Sequence, residues 1–153
     1  MKKYLFLTGA GISAESGIKT FRESGGLWDN YPIDVVASPD GFNRDPEFVW
    51  TFYKERYYHL LTTKPNPAHY ALAKLESNLG KNFHLITQNV DGLHKRAGSK
   101  NIYEMHGQLT RCFCIGCHAQ YNLSEIGLIL PIPRCKVCDS ILRPDVVWFG
   151  EIP

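Results

Sequence analysis

Two pairs of cysteines carry the clearest chemistry in the sequence. Cys114-Ile115-Gly116-Cys117 and Cys135-Lys136-Val137-Cys138 are C-x-x-C knuckles with 17 residues between them. Each knuckle lets two thiolates reach one ion, while backbone amides near the turn soften their charge. Four sulfurs close a tetrahedral shell, which suits a structural zinc ion; a catalytic zinc needs an open position and a nearby base. Cys112 and His118 flank the first knuckle. Either could stand in as a ligand, although the spacing fits less well, and a small buried side chain is the simpler reading of Cys112.

A second set of residues sits where apolar runs end. Gly9-Ala10-Gly11-Ile12-Ser13 follows residues 4–8 directly. Glycines there let the backbone approach a pyrophosphate, and a helix N-terminus supplies amide donors. This is not a full G-x-G-x-x-G, and a plain strand-to-helix turn would explain it equally well. Gln88, Asn89 and Asp91 cluster after the apolar residues 83–87. Polar groups buried at such a place must bond each other or a ligand. His106 ends a third short run, before Gly107. A lone histidine is ordinarily a satisfied core or surface residue, but at the same sheet edge as Gln88–Asp91 an imidazole becomes a candidate for proton transfer.

The elements that must position these groups follow from periodicity. Residues 4–8 (YLFLT) predict a buried first strand, followed by the glycine turn Gly9–Ser13 and a short helix start at Ala14–Gly17. Residues 19–45 are rich in Gly, Pro, Asp and Asn and predict a long loop. Residues 46–62 predict a helix capped by Asp45 with Pro46 in its first position and a loose apolar face of Phe48, Val49, Phe52, Leu60 and Leu61. A second helix runs from Asn66-Pro67 to Leu79, with Gly80 as its stop. Residues 83–87 and 101–106 predict two more strands, separated by a short helical piece near Leu93–Ala97. Residues 108–143 show little regular pattern and predict a small inserted module.

The chain has 153 residues, 44% hydrophobic and 21% charged, enough for one globular domain or one plus an insert. Its net charge of +2 and lack of any block of like charge argue against a nucleic-acid partner. No stretch approaches the ~20 apolar residues needed to cross a bilayer. Lys2-Lys3 before Tyr4–Leu7 imitates a signal peptide, but Thr8-Gly9-Ala10-Gly11 interrupts the run at once. Five cysteines without a secretion signal favour metal thiolates over disulfides and a cytoplasmic location.

Assembled in order, these residues resemble the sirtuin family. The matching stretches are Gly9–Ser13 through Gly17, Thr20-Phe21-Arg22, Thr87-Gln88-Asn89-Val90-Asp91, His106-Gly107, the paired cysteines and Val147-Trp148-Phe149-Gly150-Glu151. They cover essentially the whole chain. The resemblance implies an α/β fold, with a Rossmann-like parallel sheet in residues 1–107 and 144–153 and a small zinc-ribbon domain inserted at 108–143. It implies NAD and zinc as cofactors, acylated-lysine proteins or peptides as substrates held between the two domains, and no membrane partner. In such enzymes the acyl oxygen attacks the nicotinamide ribose, nicotinamide leaves, a histidine base activates a ribose hydroxyl, and water releases lysine and O-acyl-ADP-ribose.

By position, the resemblance assigns Gly9, Ala10, Gly11, Ser13 and Glu15 to the NAD phosphates and ribose. Thr20, Phe21, Arg22 and Trp28 fall in the mobile cofactor loop. Gln88 and Asn89 would hold the ribose and an ordered water, Asp91 the nicotinamide amide, and His106 would be the base. Val147, Phe149 and Gly150 would contact the acyl-lysine. Tyr53 and Arg56, three apart and so on one helix face, resemble the pair of sirtuins that prefer acidic acyl groups. Arg56 would pair with a succinyl or malonyl carboxylate through its planar fork, and Tyr53 would donate to it. Lys19 stands where many relatives have proline. Relatives also continue beyond the Trp148–Glu151 segment, through a Gly-Thr-Ser turn and further strands, so the sheet is expected to be incomplete at its C-terminal side. Two other functions compete. A zinc-stabilised binding module would lack productive NAD chemistry. A dehydrogenase would need an acidic ribose-binding residue ~20 positions after the glycine turn in a compact βαβ unit; residues 19–45, which predict a long loop, supply no such unit.

Overall fold

The computed structural model describes residues 2–20, 31–128 and 131–153. In chain order the elements are β1 (Tyr4–Thr8), a 3-10 turn (Ala10–Ser16), α1 (Ile33–Val36), α2 (Pro39–Arg44), α3 (Pro46–Thr62), α4 (Pro67–Leu79), β2 (Phe83–Thr87), α5 (Leu93–Arg96), β3 (Ile102–Glu104), β4 (Gly107–Cys114), β5 (Gln120–Asn122), α6 (Leu123–Ile126) and β6 (Leu142–Val146). They form two compact units: Met1–Asp29 with Thr62–His106, and Asn30–Leu61 with Gly107–Pro153. No helix among the described residues is long and apolar enough to cross a membrane.

The first unit is built on a parallel sheet of order β1-β2-β3. Tyr4 pairs with Phe83 and Thr8 with Thr87, while Leu85 pairs with Ile102 and Thr87 with Glu104. Because all three strands are parallel, their C-terminal ends share one edge. β2 lies in the middle, with Phe83 and Leu85 fully buried. β1 does not match the expectation of a buried strand: Leu5 is 66% and Leu7 62% exposed. Strand burial depends on what packs against each face, which an apolar run does not report. α4 starts where the sequence says it should. The Asn66 side chain accepts from the Ala68 amide, His69 reaches back to the Asn66 amide, and Pro67 needs no donor of its own. It stops at Gly80, whose φ of 53° favours glycine.

The second unit corrects two expectations. The cysteine stretch is not irregular: β4, β5 and β6 form an antiparallel sheet of order β5-β4-β6, with a register shift between Gly107 and Cys112. The stretch expected as a long loop contains α1 and α2. Ser38 caps α2 by accepting from the Gly41 amide at 3.0 Å. Gly41 is there because a Cβ would lie 1.9 Å from the Val35 carbonyl oxygen. Asp45 caps α3 by accepting from the Phe48 amide at 2.9 Å. The buried face of α3 is Val49, Trp50, Phe52, Tyr53, Tyr57 and Leu60, while Leu61 is exposed. The same compact unit holds α3 and residues 144–153 with the cysteine sheet. The Trp50 indole donates to the Leu142 carbonyl at 2.8 Å, and the Trp148 ring lies 5.3 Å from Phe42.

Candidate functional site

Three segments meet at the C-terminal edge of the parallel sheet. The Gln88 amide donates to the Thr8 carbonyl at 2.9 Å, and the Met105 amide to the Thr87 carbonyl at 2.9 Å. Asn89 Nδ2 donates to the Gly9 carbonyl at 3.0 Å, tying the polar tip of β2 to the glycine turn. His106 Nδ1 lies 3.0 Å from the Gln88 carbonyl oxygen. A carbonyl only accepts, so Nδ1 carries the proton, and in the neutral ring Nε2 keeps its lone pair. That is the tautomer a general base requires. No side chain caps the Gly9 end of the 3-10 turn, and a Cβ at Gly11 would meet nothing within 4 Å. Among the described residues, the turn after Gly9 therefore presents backbone that no side chain caps.

Beneath the turn lies a buried polar network centred on Ser13. Its hydroxyl donates to Asp91 Oδ2 at 2.7 Å and accepts from Asn89 Nδ2 at 3.2 Å. Asp91 Oδ1 accepts the Leu93 amide at 2.9 Å. His69 Nδ1 accepts from the Asn66 amide, which leaves the proton on Nε2, 3.4 Å from Ser13 Oγ. Burial holds the His69 pKa below its ordinary value, consistent with that neutral tautomer. His94 packs edge-on against His69 at 4.8 Å, and its Nε2 lies 3.0 Å from Thr8 Oγ1. Burial first, then the neighbouring His69, push His94 down to about 4. Sequence reasoning missed both histidines, Thr8 and Asn66. The available signal was the Asn66-x-x-His69 pattern around Pro67, which marks a helix start rather than a ligand site.

In the second unit, the sulfurs of Cys114, Cys117, Cys135 and Cys138 all lie within 4.8 Å of one another. Cys114 and Cys138 are 3.4 Å apart, and Cys117 and Cys135 are 3.6 Å apart. Sulfurs on a tetrahedron around zinc at ~2.3 Å would stand ~3.8 Å apart, so the set fits that ion. The Gly116 and Cys117 amides donate to Cys114 Sγ, and the Val137 amide donates to Cys135 Sγ. The Tyr121 hydroxyl, 3.2 Å from Cys135 Sγ, leads the backbone amides in pulling that thiol down to about 6. Cys112 is fully buried outside the cluster, and burial pushes it up to about 12. Among the described residues, His118 is not part of the cluster either.

The two residues expected to read the acyl group share one face of α3. Tyr53 is 4% exposed, and its oxygen accepts from the Trp148 indole at 2.8 Å. Burial pushes its hydroxyl well above the ordinary tyrosine range. Arg56 donates to the Phe52 carbonyl at 2.9 Å and lies 3.3 Å over the Phe52 ring and 5.3 Å over Tyr31. Burial lowers its pKa to about 10, partly offset by Glu55, which lies 3.8 Å away. Val147 is half-buried, Phe149 is 64% exposed, and Gly150 has a φ of 91°. Gly9, Ala10 and Thr20 are half-buried, Gly11, Glu15 and Gln88 are exposed, and Phe21, Arg22 and Trp28 lie outside the described residues.

The Sir2 family profile matches residues 9–153. The chain belongs to the Sir2 family. The NAD-dependent protein deacylase of Thermococcus kodakarensis is 52% identical over 150 residues, covering 94% of this chain and 58% of that protein. A Sir2 homologue solved as a complex with NAD is 50% identical with a TM-score of 0.87, covering 99% of this chain and 59% of that one. A Sir2 protein solved with a deacetylated p53 peptide and 3'-O-acetyl ADP-ribose is 40% identical with a TM-score of 0.86, covering 97% of this chain and 61% of that one. This Sir2-family chain thus spans about three-fifths of the length of the relatives it matches.

Proposed function

We propose that this chain acts as an NAD-dependent protein-lysine deacylase, transferring the acyl group to ADP-ribose and releasing nicotinamide. One observation carries the reading: the glycine turn, the Gln88–Asp91 tip and the His106 imidazole are hydrogen-bonded into a single strand edge. Bound NAD supplies an electrophilic ribose carbon from which nicotinamide departs. The open amides after Gly9 hold its phosphates, with Ala10, Gly11, Ser13, Glu15, Thr20, Phe21, Arg22 and Trp28 as the remaining cofactor-binding residues. Gln88 and Asn89 hold the ribose side, and Asp91, fixed by Ser13 and the Leu93 amide, holds the carboxamide side. His106 takes a proton at Nε2, because Nδ1 is committed to the Gln88 carbonyl. The four thiolates would hold zinc structurally, since all four positions of the shell are protein sulfur.

The substrates in this reading are acyl-lysine peptides, contacted through Val147, Phe149 and Gly150. Tyr53 and Arg56 extend the range to succinyl and malonyl groups beside acetyl, because a guanidinium and a phenol can both donate to a carboxylate. Thiol-rich knuckles support a reducing compartment, the cytoplasm. Nicotinamide release from NAD and an acyl-lysine peptide tests the activity. Wild type should release it over many turnovers with O-acyl-ADP-ribose as co-product, whereas His106→Ala should release at most about one equivalent and form no O-acyl-ADP-ribose, because the base acts after nicotinamide has left. Release by neither protein, with one zinc bound, would instead favour a zinc-stabilised binding module. Arg56→Met should cut desuccinylation far more than deacetylation, and equal losses would refute the acyl assignment.

A further inference from the structure

The Tyr53 hydroxyl has one partner fixed by geometry. An indole N–H can only donate, so the Trp148 contact at 2.8 Å uses a lone pair of the phenol oxygen. The phenol proton must then point elsewhere, and among the described residues no acceptor takes it. A buried hydroxyl proton without an acceptor is costly, so the arrangement suits an acceptor that arrives with a ligand.

Trp148 is itself held from three sides. Arg143 grips Glu151 with both nitrogens of its fork, NH1 to Oε1 at 2.7 Å and NH2 to Oε2 at 3.0 Å. Glu151 Oε2 also accepts the Trp148 amide at 2.8 Å, and Arg143 NH2 donates to the Val146 carbonyl at 3.0 Å. The Arg143 guanidinium then lies 3.6 Å over the Trp148 ring. One ion pair thereby fixes the backbone leading into Trp148 and the face of its indole. Plain hydrophobic packing of Trp148 would need none of these polar contacts.

We propose that Trp148, clamped by Arg143 and Glu151, is a positioning residue that turns the Tyr53 hydroxyl into a fixed donor for the carboxylate of an acidic acyl chain. The inference rests on the acyl assignment of Tyr53 and Arg56 made above. Trp148 acts through Tyr53 and touches no reacting atom.

The test compares succinyl-lysine and acetyl-lysine versions of one peptide by calorimetric binding to the full chain. Wild type, Trp148→Phe, Tyr53→Phe and the double variant are titrated. Trp148→Phe keeps an aromatic ring but loses the N–H. It should lower the preference for the succinyl peptide about tenfold, the size of one hydrogen bond to a charged group. Tyr53→Phe should do the same, and the double variant should show no further loss. A role in packing alone would weaken both peptides equally and leave their ratio unchanged. Glu151→Gln keeps every core ring in place and serves if Trp148→Phe does not fold; it should move the ratio in the same direction. A wild-type preference that survives both Trp148→Phe and Glu151→Gln overturns this inference alone. A wild type that does not discriminate overturns the acyl assignment and this inference together, while nicotinamide release still reports on deacylation itself.

Discussion

Acidification should weaken the first unit through His94. The ring is 1% exposed, its Nε2 lies beside Thr8 Oγ1, and its Nδ1 is buried with no partner among the described residues. Burial and His69 hold its pKa at about 4, while Asp91 and Glu104 pull weakly the other way. In the unfolded chain a histidine titrates near ~6.5. Between those values the unfolded state binds more protons than the folded state, so stability rises with pH across the window and is lost as pH falls through it. A difference of roughly 2.5 pKa units, at about 1.4 kcal/mol each, leaves about 2 kcal/mol to be lost between pH 7 and pH 4.5. The assay is denaturant unfolding of wild type and His94→Gln at pH 7, 5.5 and 4.5. Glutamine can still reach Thr8 but does not titrate. Groups that do not face His94, the thiols among them, are common to both proteins and cancel in the comparison. Wild type should lose about 2 kcal/mol more than the variant on going to pH 4.5. Parallel curves would refute the reasoning that burial keeps this ring neutral.

Gly41→Ala should destabilise the second unit by on the order of 2–4 kcal/mol, because the new Cβ would strike the Val35 carbonyl, which is backbone and cannot swing away. Gly11→Ala is the matched control, with open space around the Cβ and a change below about 1 kcal/mol in the same thermal melts. Elemental analysis should find one zinc per chain. Stripping it with a chelator, or substituting Cys135→Ser, should lower the melting temperature by more than about 8 °C, since the ion ties four ligands from two knuckles together. An unchanged melting temperature would contradict a structural metal.

Much of this was legible in the residues, for identifiable reasons. The knuckle spacing is a local property of ligand geometry, and it located all four sulfurs of the cluster. α4 was legible because Asn66, Pro67 and Gly80 each satisfy or omit specific backbone groups at its ends. The site edge was legible because Gln88, Asn89 and Asp91 interrupt an apolar strand at its C-terminus. What escaped depends on partners distant in sequence. β4 alternates burial weakly, its cysteines mask the pattern, and its neighbours Gln120–Asn122 and Leu142–Val146 are short. Burial of His69, His94 and Tyr53 reflects the bonds that pay their desolvation, and those partners lie tens of residues away. Leu5 and Leu7 read as core, yet they lie on the sheet face they share with His84 and Ile86, which is only partly covered.

The central claim is that one strand edge receives the dinucleotide, and amide chemical shifts test it most directly. NAD is titrated into the isotopically labelled chain while the resonances of Gly9–Ser13, Gln88–Asp91 and the His106 ring are followed. The account predicts that all three groups shift together with one apparent affinity, and that the cysteine knuckles stay still. Shifts confined to one segment, or centred on the knuckles, would contradict it.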